Sequence, residues 1–330
     1  MPRVTIADIA RAAEVSTATV SNALNGTGRL ADTTRARVHA TAAALGYGAA
    51  APVPRVLGLA VTTYGPLPWN FADVPYFAQA IGAATAAAHA RGYALTALPA
   101  APAAALWRTI PVAGVLILDS PAGDPVVPVL RARGLPLAFD GRPSDPGPRE
   151  AWVDNDHRAA TRDVLDHLAA QGARRIALMA GPGDEHYTRE CLAAHREWCA
   201  DHGVAPRVIP FAPADTDGRT LDAVLRDPGR PDAIYGIYDP CGRRAHAAAT
   251  RIGLRLPGDL LLVCASEDPA YATTEPPLST VSLLPRLTCA AAVSLLIDLI
   301  EHPDLTPEPV IVPARLDIRA SSSPLRLTEG

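Results

Sequence analysis

Within residues 16–25 the chain sets Thr17, Ser21, Asn22 and Asn25 on one side of a helical projection, and Val20, Ala23 and Leu24, joined by Ala18 or Thr19, on the other. Short hydroxyl and amide side chains weaken helix propensity, so a helix meant only for packing rarely carries this set. The same groups suit phosphate oxygens and base edges. Asn22 has the donor and acceptor needed to pair bidentately with adenine, and Thr17 and Ala18 offer methyl groups to thymine. Ser16, Thr19, Ser21, Asn25, Arg29 and Thr34 are read mainly as phosphate or mixed contacts, and Thr5 completes the candidate DNA-binding set.

Holding such a helix requires neighbours, and the flanking sequence supplies them. Thr5 caps a first helix with Asp8 three residues on, and Ile6, Ile9, Ala10 and Ala13 share one face. A tight turn at Glu14-Val15 follows, then Ser16 caps the second helix, which Gly26 and Gly28 stop. Asp32 or Thr33 is expected to cap a third helix with Val38, Ala42 and Leu45 as its stripe, ended by Gly46. This is a helix-turn-helix followed by a third helix, the shape that places one short helix in a DNA major groove. Charge agrees: residues 1–50 carry five Arg against three acids, a net of +2, so with −4 for the whole chain the remainder carries −6.

From Val56 on, β-rich runs alternate with helical stretches, as in parallel sheets built from βαβ units. Expected strands are 56–61, 94–98, 114–118, 136–139, 175–180, 207–211, 233–237 and 260–264. Expected long helices are 75–91, 157–171, 187–202, 240–252 and 287–301. Two such sheets joined by crossing strands make a hinged pair of lobes with a ligand cleft at the carboxyl ends of the strands. A hydrophobic share of 48% over 330 residues is ample for these cores.

Catalytic readings find little support. In Asp154-Asn155-Asp156-His157, Asp156 reads as a helix cap, and no second His or Cys group lies at ligand spacing. GPGDEH at 181–186 lacks the Lys-Ser/Thr of a phosphate-binding loop and reads as a strand-to-helix turn. The five cysteines (191, 199, 241, 264, 289) are scattered, which fits reduced thiols, with no metal and no cofactor. The N-terminus has no apolar signal core and 289–297 is too short to span a bilayer, so a cytoplasmic protein without membrane partners is expected.

The runs VTIADIA, VSTATVSNALN, TRARV and LGY resemble the DNA-binding headpiece of the lactose-repressor/galactose-repressor (LacI/GalR) family of bacterial transcription regulators. Weaker similarity continues through RGYAL, VAGVLIL, VDND, ARRIALMAGP, RLPGDLLLV, PPLSTV and IVPARLDIR. The resemblance implies an all-α helix-turn-helix headpiece over 1–48, a linker over 49–55, and a two-lobed, periplasmic-binding-protein-like α/β effector and dimerisation domain with parallel sheets over 56–330.

It also implies a ligand pocket. Family members commonly hold a sugar or similar polar ligand with an Arg, an Asn-Asp pair and an Asp in a GYDD-like loop; the matching positions here are Cys191, Tyr238-Asp239 and Ser266. Asp239 alone is retained. Glu267 and Asp268 follow Ser266 and could supply a shifted carboxylate. Arg189 stands two residues before Cys191, about 200° round a helix, and is no simple replacement for the missing guanidinium. Asp154, Arg189, Asp239, Ser266 and Glu267 are the polar effector-binding candidates, and Trp69, Tyr76, Phe77, Tyr187 and Tyr238 are aromatics that could stack on a ligand.

Three departures from the family carry expectations. Glu14 occupies a turn where the family favours Gly, at a cost of about 1–2 kcal/mol if the residue is left-handed. Residues 99–112 leave room for only a minimal crossover. The linker, about half the family's length, has no Leu to wedge into a minor groove, and Pro52 and Pro54 favour an extended tether. The expected function is a homodimeric, sequence-specific repressor on a pseudo-palindromic operator in double-stranded DNA, modulated by a small-molecule effector and not an enzyme. The alternatives are a DNA-binding regulator that has lost small-molecule sensing and a sugar-binding module with a vestigial headpiece.

Overall fold

The computed structural model describes residues 4–28, 30–45, 47, 55–62, 73–99, 104–211 and 218–323. The chain divides into two compact units, Met1–Pro54 and Arg55–Gly330. Arg29, Trp69, Gly46 and linker residues 48–54 lie outside the described residues.

In the first unit, α1 (Ile6–Ala12) starts at Thr5, whose hydroxyl accepts the Asp8 N–H at 3.3 Å while the Asp8 carboxylate accepts the Thr5 N–H at 3.0 Å. This reciprocal capping box satisfies two donors that a helix start leaves open. Glu14 sits at φ 53°, in the left-handed region that the comparison with the family's glycine anticipated. Ser16 then caps α2 (Thr17–Leu24) by accepting the Thr19 N–H at 3.1 Å. Gly26 and Gly28, at φ 69° and 76°, turn the chain away.

The third helix, α3 (Asp32–Ala44), differs from expectation at both ends. Ala31 occupies the cap with no side-chain hydrogen bond, so Asp32 is the first helical residue and acts by its charge near the positive helix end. Leu45 is the C-cap and stays 38% exposed, outside the stripe. Ile9, Ala10, Ala13, Val20, Ala23, Val38 and Ala42 form the shared core.

Among the described residues the second unit holds two six-stranded sheets. The first has the order β11-β5-β4-β3-β1-β2, built from β1 (Val56–Val61), β2 (Ala94–Pro99), β3 (Gly114–Leu118), β4 (Leu137–Asp140), β5 (Ala151–Asn155) and β11 (Val310–Val312). The second has the order β12-β10-β9-β8-β6-β7, built from β6 (Ile176–Ala180), β7 (Arg207–Pro210), β8 (Ala233–Gly236), β9 (Leu261–Ala265), β10 (Ser279–Ser282) and β12 (Arg315–Asp317). The pairing is parallel except between β10 and β12. Strands covered on both faces need continuous apolar runs, and GVLIL and IALMA are buried at every residue.

Helices α4 (Pro75–Ala90) and α11 (Pro285–Glu301) cover one face of the first sheet. The other face is closed by α5 (Ala104–Trp107) and α6 (Val127–Ala132). The short crossover works because the Trp107 ring fills that face. A Cβ on Gly58 would come within 2.6 Å of it, so the strand must present glycine there. Helices α7 (His157–Ala170), α8 (His186–Asp201), α9 (Arg219–Arg226) and α10 (Asp239–Arg251) accompany the second sheet. The chain passes between lobes after β5, after β10 and between β11 and β12. The Asn155 side-chain amide, on the first passage, donates to Leu283 O on the second at 3.1 Å and to Val312 O on the third at 2.7 Å.

Candidate functional site

On α2 the buried residues Val20 and Ala23 face inward, and Thr17, Ala18, Ser21, Asn22 and Asn25 span an arc of about 140° on the opposite side. Ala18 is exposed and Thr19 half-buried, so Thr19 takes the inward place of that alternative. Thr17, Asn22 and Asn25 are exposed and Ser21 is half-buried. Several polar groups already hold one another. Ser16 Oγ and Thr19 Oγ1 are 2.8 Å apart, Asn25 Nδ2 donates to Ser21 Oγ at 3.3 Å, and Thr27 Oγ1 donates to Asn22 Oδ1 at 3.3 Å. Thr5 is exposed at the start of α1, with its hydroxyl donating to Asp8 at 2.7 Å, and Thr34 is half-buried in the first turn of α3. The exposed side of α2 therefore offers hydroxyls, amides and a methyl on a helix packed against two others.

In the second unit the carboxyl ends of β4 and β5 gather polar groups. Asp140, the last residue of β4, accepts the Tyr76 O–H at 2.6 Å and the Cys289 S–H at 3.3 Å. Asp154 on β5 accepts the Arg142 and Asn155 N–H groups at 2.9 and 2.8 Å and the His157 Nε2–H at 2.7 Å, with His186 Nε2 3.6 Å away. In the second lobe stand Tyr187, whose hydroxyl donates to Ile237 O, and Tyr238, whose hydroxyl lies 2.8 Å from Thr188 Oγ1. The Tyr238 ring packs 5.2 Å from Phe211.

The remaining candidates are arranged differently. Ser266 donates to the Asp239 carboxylate, and Arg243 approaches the same carboxylate at 3.8 Å while pairing with Asp268. Glu267 accepts the Ser282 hydroxyl at 2.8 Å and the Leu283 N–H at 2.7 Å, which braces the second passage between lobes. Phe77 is buried in the first lobe's core with its ring edge-on to Tyr76. Cys191 is fully buried and its thiol is pushed up to about 12 by desolvation. A neutral thiol cannot do the work of a guanidinium.

Arg189 reaches the opposite lobe and donates to Ser144 Oγ at 3.3 Å. Two further bonds cross the same seam, from Ala122 N to Asp184 Oδ1 at 3.2 Å and from Gln79 Nε2 to Glu267 O at 3.0 Å. Gln79, Asp140, Ser144 and Asp184 were not among the residues expected to matter. For Asp140 a signal existed, a carboxylate directly after an apolar run and before a glycine, but the expected strand stopped at Phe139.

Asp140 and Asp154 sit on adjacent strands and shift in opposite directions. Burial pushes the Asp140 carboxyl above its usual range, against the pull of Tyr76 and Cys289. Burial also pushes Asp154 upward, but His157 and the two backbone N–H groups outweigh it, so its carboxyl ends below the usual value. For Asp140 the folded state favours the neutral acid, so the penalty builds as pH rises from 3.8 to its folded value and persists above it. Asp140→Asn keeps an acceptor for Tyr76 and removes the charge. It is expected to raise the melting temperature at pH 7 by a few degrees, roughly 1 kcal/mol, with the gain shrinking near pH 4. A lower melting temperature at pH 7 than at pH 4, relative to the parent, contradicts this account.

Elsewhere, Asp156 caps α7 by accepting the Ala159 N–H at 2.9 Å, as its sequence context suggested. Among the described residues, no group of three His, Cys, Asp or Glu is placed to hold a metal ion, and no helix is long and apolar enough to cross a membrane.

Comparison with known proteins places these features. Residues 5–49 match the profile of bacterial regulatory proteins of the lacI family, and residues 165–322 match the periplasmic binding protein-like domain. The chain is 27% identical over 215 residues to the HTH-type transcriptional regulator CelR of Thermobifida fusca, covering 64% of this chain and 63% of that protein. It is 28% identical over 343 residues to the HTH-type transcriptional regulator reg1 of Streptomyces lividans, covering 96% of each. A solved structure described as a transcriptional regulator CelR-cellobiose complex superposes with a TM-score of 0.71 at 25% identity, over 97% of this chain and 100% of that one. These relatives are transcriptional regulators and not enzymes.

Proposed function

The chain belongs to the lacI family of bacterial regulatory proteins, and from that membership we propose that it is a homodimeric repressor whose operator affinity responds to a small polar effector, a sugar or related metabolite, held between its lobes. The observation that carries the DNA reading is the outward face of α2, with Thr17, Ala18, Asn22 and Asn25 exposed on a capped helix whose other side is core. One headpiece contacts too few bases for useful specificity, so two copies are set against a pseudo-palindromic site.

The effector reading is supported by Asp140 and Asp154 near the ends of β4 and β5 and by Tyr76 and Tyr187 in the first turns of α4 and α8, which are hydrogen-bonding and stacking groups. A second reading, a regulator that no longer senses a small molecule, is favoured by two observations. Asp239 and Ser266 bond to each other, and three hydrogen bonds span the seam between the lobes. Selection of bound DNA from a random pool, repeated with and without a metabolite panel, separates the two. A metabolite that changes recovery of the selected operator supports sensing; recovery unmoved by every metabolite supports the second reading.

The same selection tests base readout. Asn22→Arg exchanges an adenine-pairing amide for a guanine-pairing fork, so the preferred base is expected to change at one position of each half-site, by about 1–3 kcal/mol. A binding motif unchanged by that substitution removes Asn22 from the reading set.

A further inference from the structure

The first turn of α8 and the turn before it meet the first lobe at three places. Asp184 Oδ1 accepts the Ala122 N–H at 3.2 Å in the loop after β3, and Arg189 donates to Ser144 Oγ at 3.3 Å in the loop after β4. Between them in sequence, His186 Nε2 lies 3.6 Å from Asp154 Oδ2 on β5. We propose that the GPGDEH turn at 181–186 and the first turn of α8 form a latch, which holds the two lobes at one angle and whose three contacts open together. It concerns the lobes alone, so it can fail while the effector reading stands.

Each contact is weak alone. Ala122, Asp184 and Ser144 are exposed, where water competes for every donor and acceptor, and one hydrogen bond shifts an equilibrium by about 2- to 13-fold. They act as a unit because each side is assembled within its own lobe. Arg189 also donates to Asp184 O, which ties two arms of the latch to each other. The Tyr187 hydroxyl on Ile237 O and Thr188 Oγ1, 2.8 Å from the Tyr238 hydroxyl, fasten the same turn to the segment just past β8.

The receiving side is braced in the same way. Asp124 accepts the Ser120 hydroxyl at 2.8 Å and the Val126 N–H at 2.7 Å, which shapes the loop that presents Ala122. The Arg142 N–H, two residues before Ser144, donates to Asp154 at 2.9 Å, and Arg131 donates to the carbonyl of Asp145, the residue after Ser144, at 2.6 Å. With the ordering cost met inside each lobe, one contact brings the partners of the other two into range. Loss of one lowers the effective concentration at which the others meet.

The experiment removes one contact and reads another, by hydrogen exchange in the full-length protein with no metabolite added. Ala122 is exposed and its N–H bonds to Asp184, so the exchange rate of that amide reports how often the latch opens. Asp184→Ala is expected to speed it several-fold, and Asp184→Asn, which keeps an acceptor, to retain most of the parent's protection. Ser144→Ala is the deciding variant, because it takes the acceptor from Arg189 and leaves Asp184 and Ala122 intact. A latch whose contacts open together predicts exchange at Ala122 faster by about 2- to 13-fold in Ser144→Ala, with exchange across β3 unchanged. Parent-like exchange at Ala122 in Ser144→Ala shows that the contacts are independent and overturns the latch. Parent-like exchange in Asp184→Ala overturns it too, as does a rise across β3 equal to that at Ala122, which would report lost folding in place of an opened seam.

Discussion

Replacing Ile9 with alanine is expected to abolish operator binding at working concentrations while leaving the larger unit folded. Ile9 is fully buried where α1 meets α2 and α3, in a core whose other members are mostly alanine and valine. Truncating a buried isoleucine costs about 2–5 kcal/mol. A unit of this size buries too little surface to have much more than that in reserve. Because only the folded headpiece presents the α2 face, affinity falls by the folded fraction, roughly 30-fold where the loss exceeds the reserve by about 2 kcal/mol. DNA titration followed by calorimetry checks both halves of the expectation. Operator affinity within about twofold of the parent sinks it, as does an equal loss of stability in the transition of the larger unit.

The second large effect is expected at Asp154. Its side chain is 3% exposed and accepts from Arg142 N, Asn155 N and His157 Nε2. Asp154→Ala leaves these donors without their acceptor around a nearly buried position. His157 then has a wholly unpaired ring, because its Nδ1 already lacks a partner. Removing one member of such a buried pair costs about 3–5 kcal/mol, or a fall in melting temperature of roughly 6–20 °C for a unit of this size. The pH dependence has a definite sign. With its folded pKa below 3.8, Asp154 contributes stability that is complete above 3.8 and is lost as pH falls through the lower folded value. The variant should therefore lose part of the parent's acid sensitivity. Melting within a degree or so of the parent at pH 7, or an unchanged acid limb, rejects this role for the carboxylate.

These two residues also mark how much could be read from sequence. Ile9 was legible because helical periodicity and a capping pair three residues apart are local signals, and the long buried runs VLGLAV and GVLIL were legible for the same reason. β11 and β12 were not. Each has three residues, one of them exposed and none fully buried, and exists because it pairs with a distant strand. The short helices α5, α6 and α9 offer too few turns for a stripe to emerge. In the cleft, the Asp154 cluster drew attention by composition, but its partner Arg142 lies twelve residues away and the bond is to a backbone group, which no side-chain pattern reports. Asp239 and Ser266 were named as separate ligand contacts; that they bond to each other depends on two loops meeting.

Asn155 bears on how the lobes can move. One amide joins all three passages of the chain, so sliding one lobe over the other would break both of its bonds, whereas rotation about that point strains neither. The amide is thus a fulcrum. Asp154 is its neighbour in sequence, while the Arg189–Ser144 and Ala122–Asp184 bonds span the seam and break if the lobes open. A molecule that engages the lobes far from this amide works with a longer lever arm than one bound beside it, and for the same contact energy it has the greater control over the angle between the lobes.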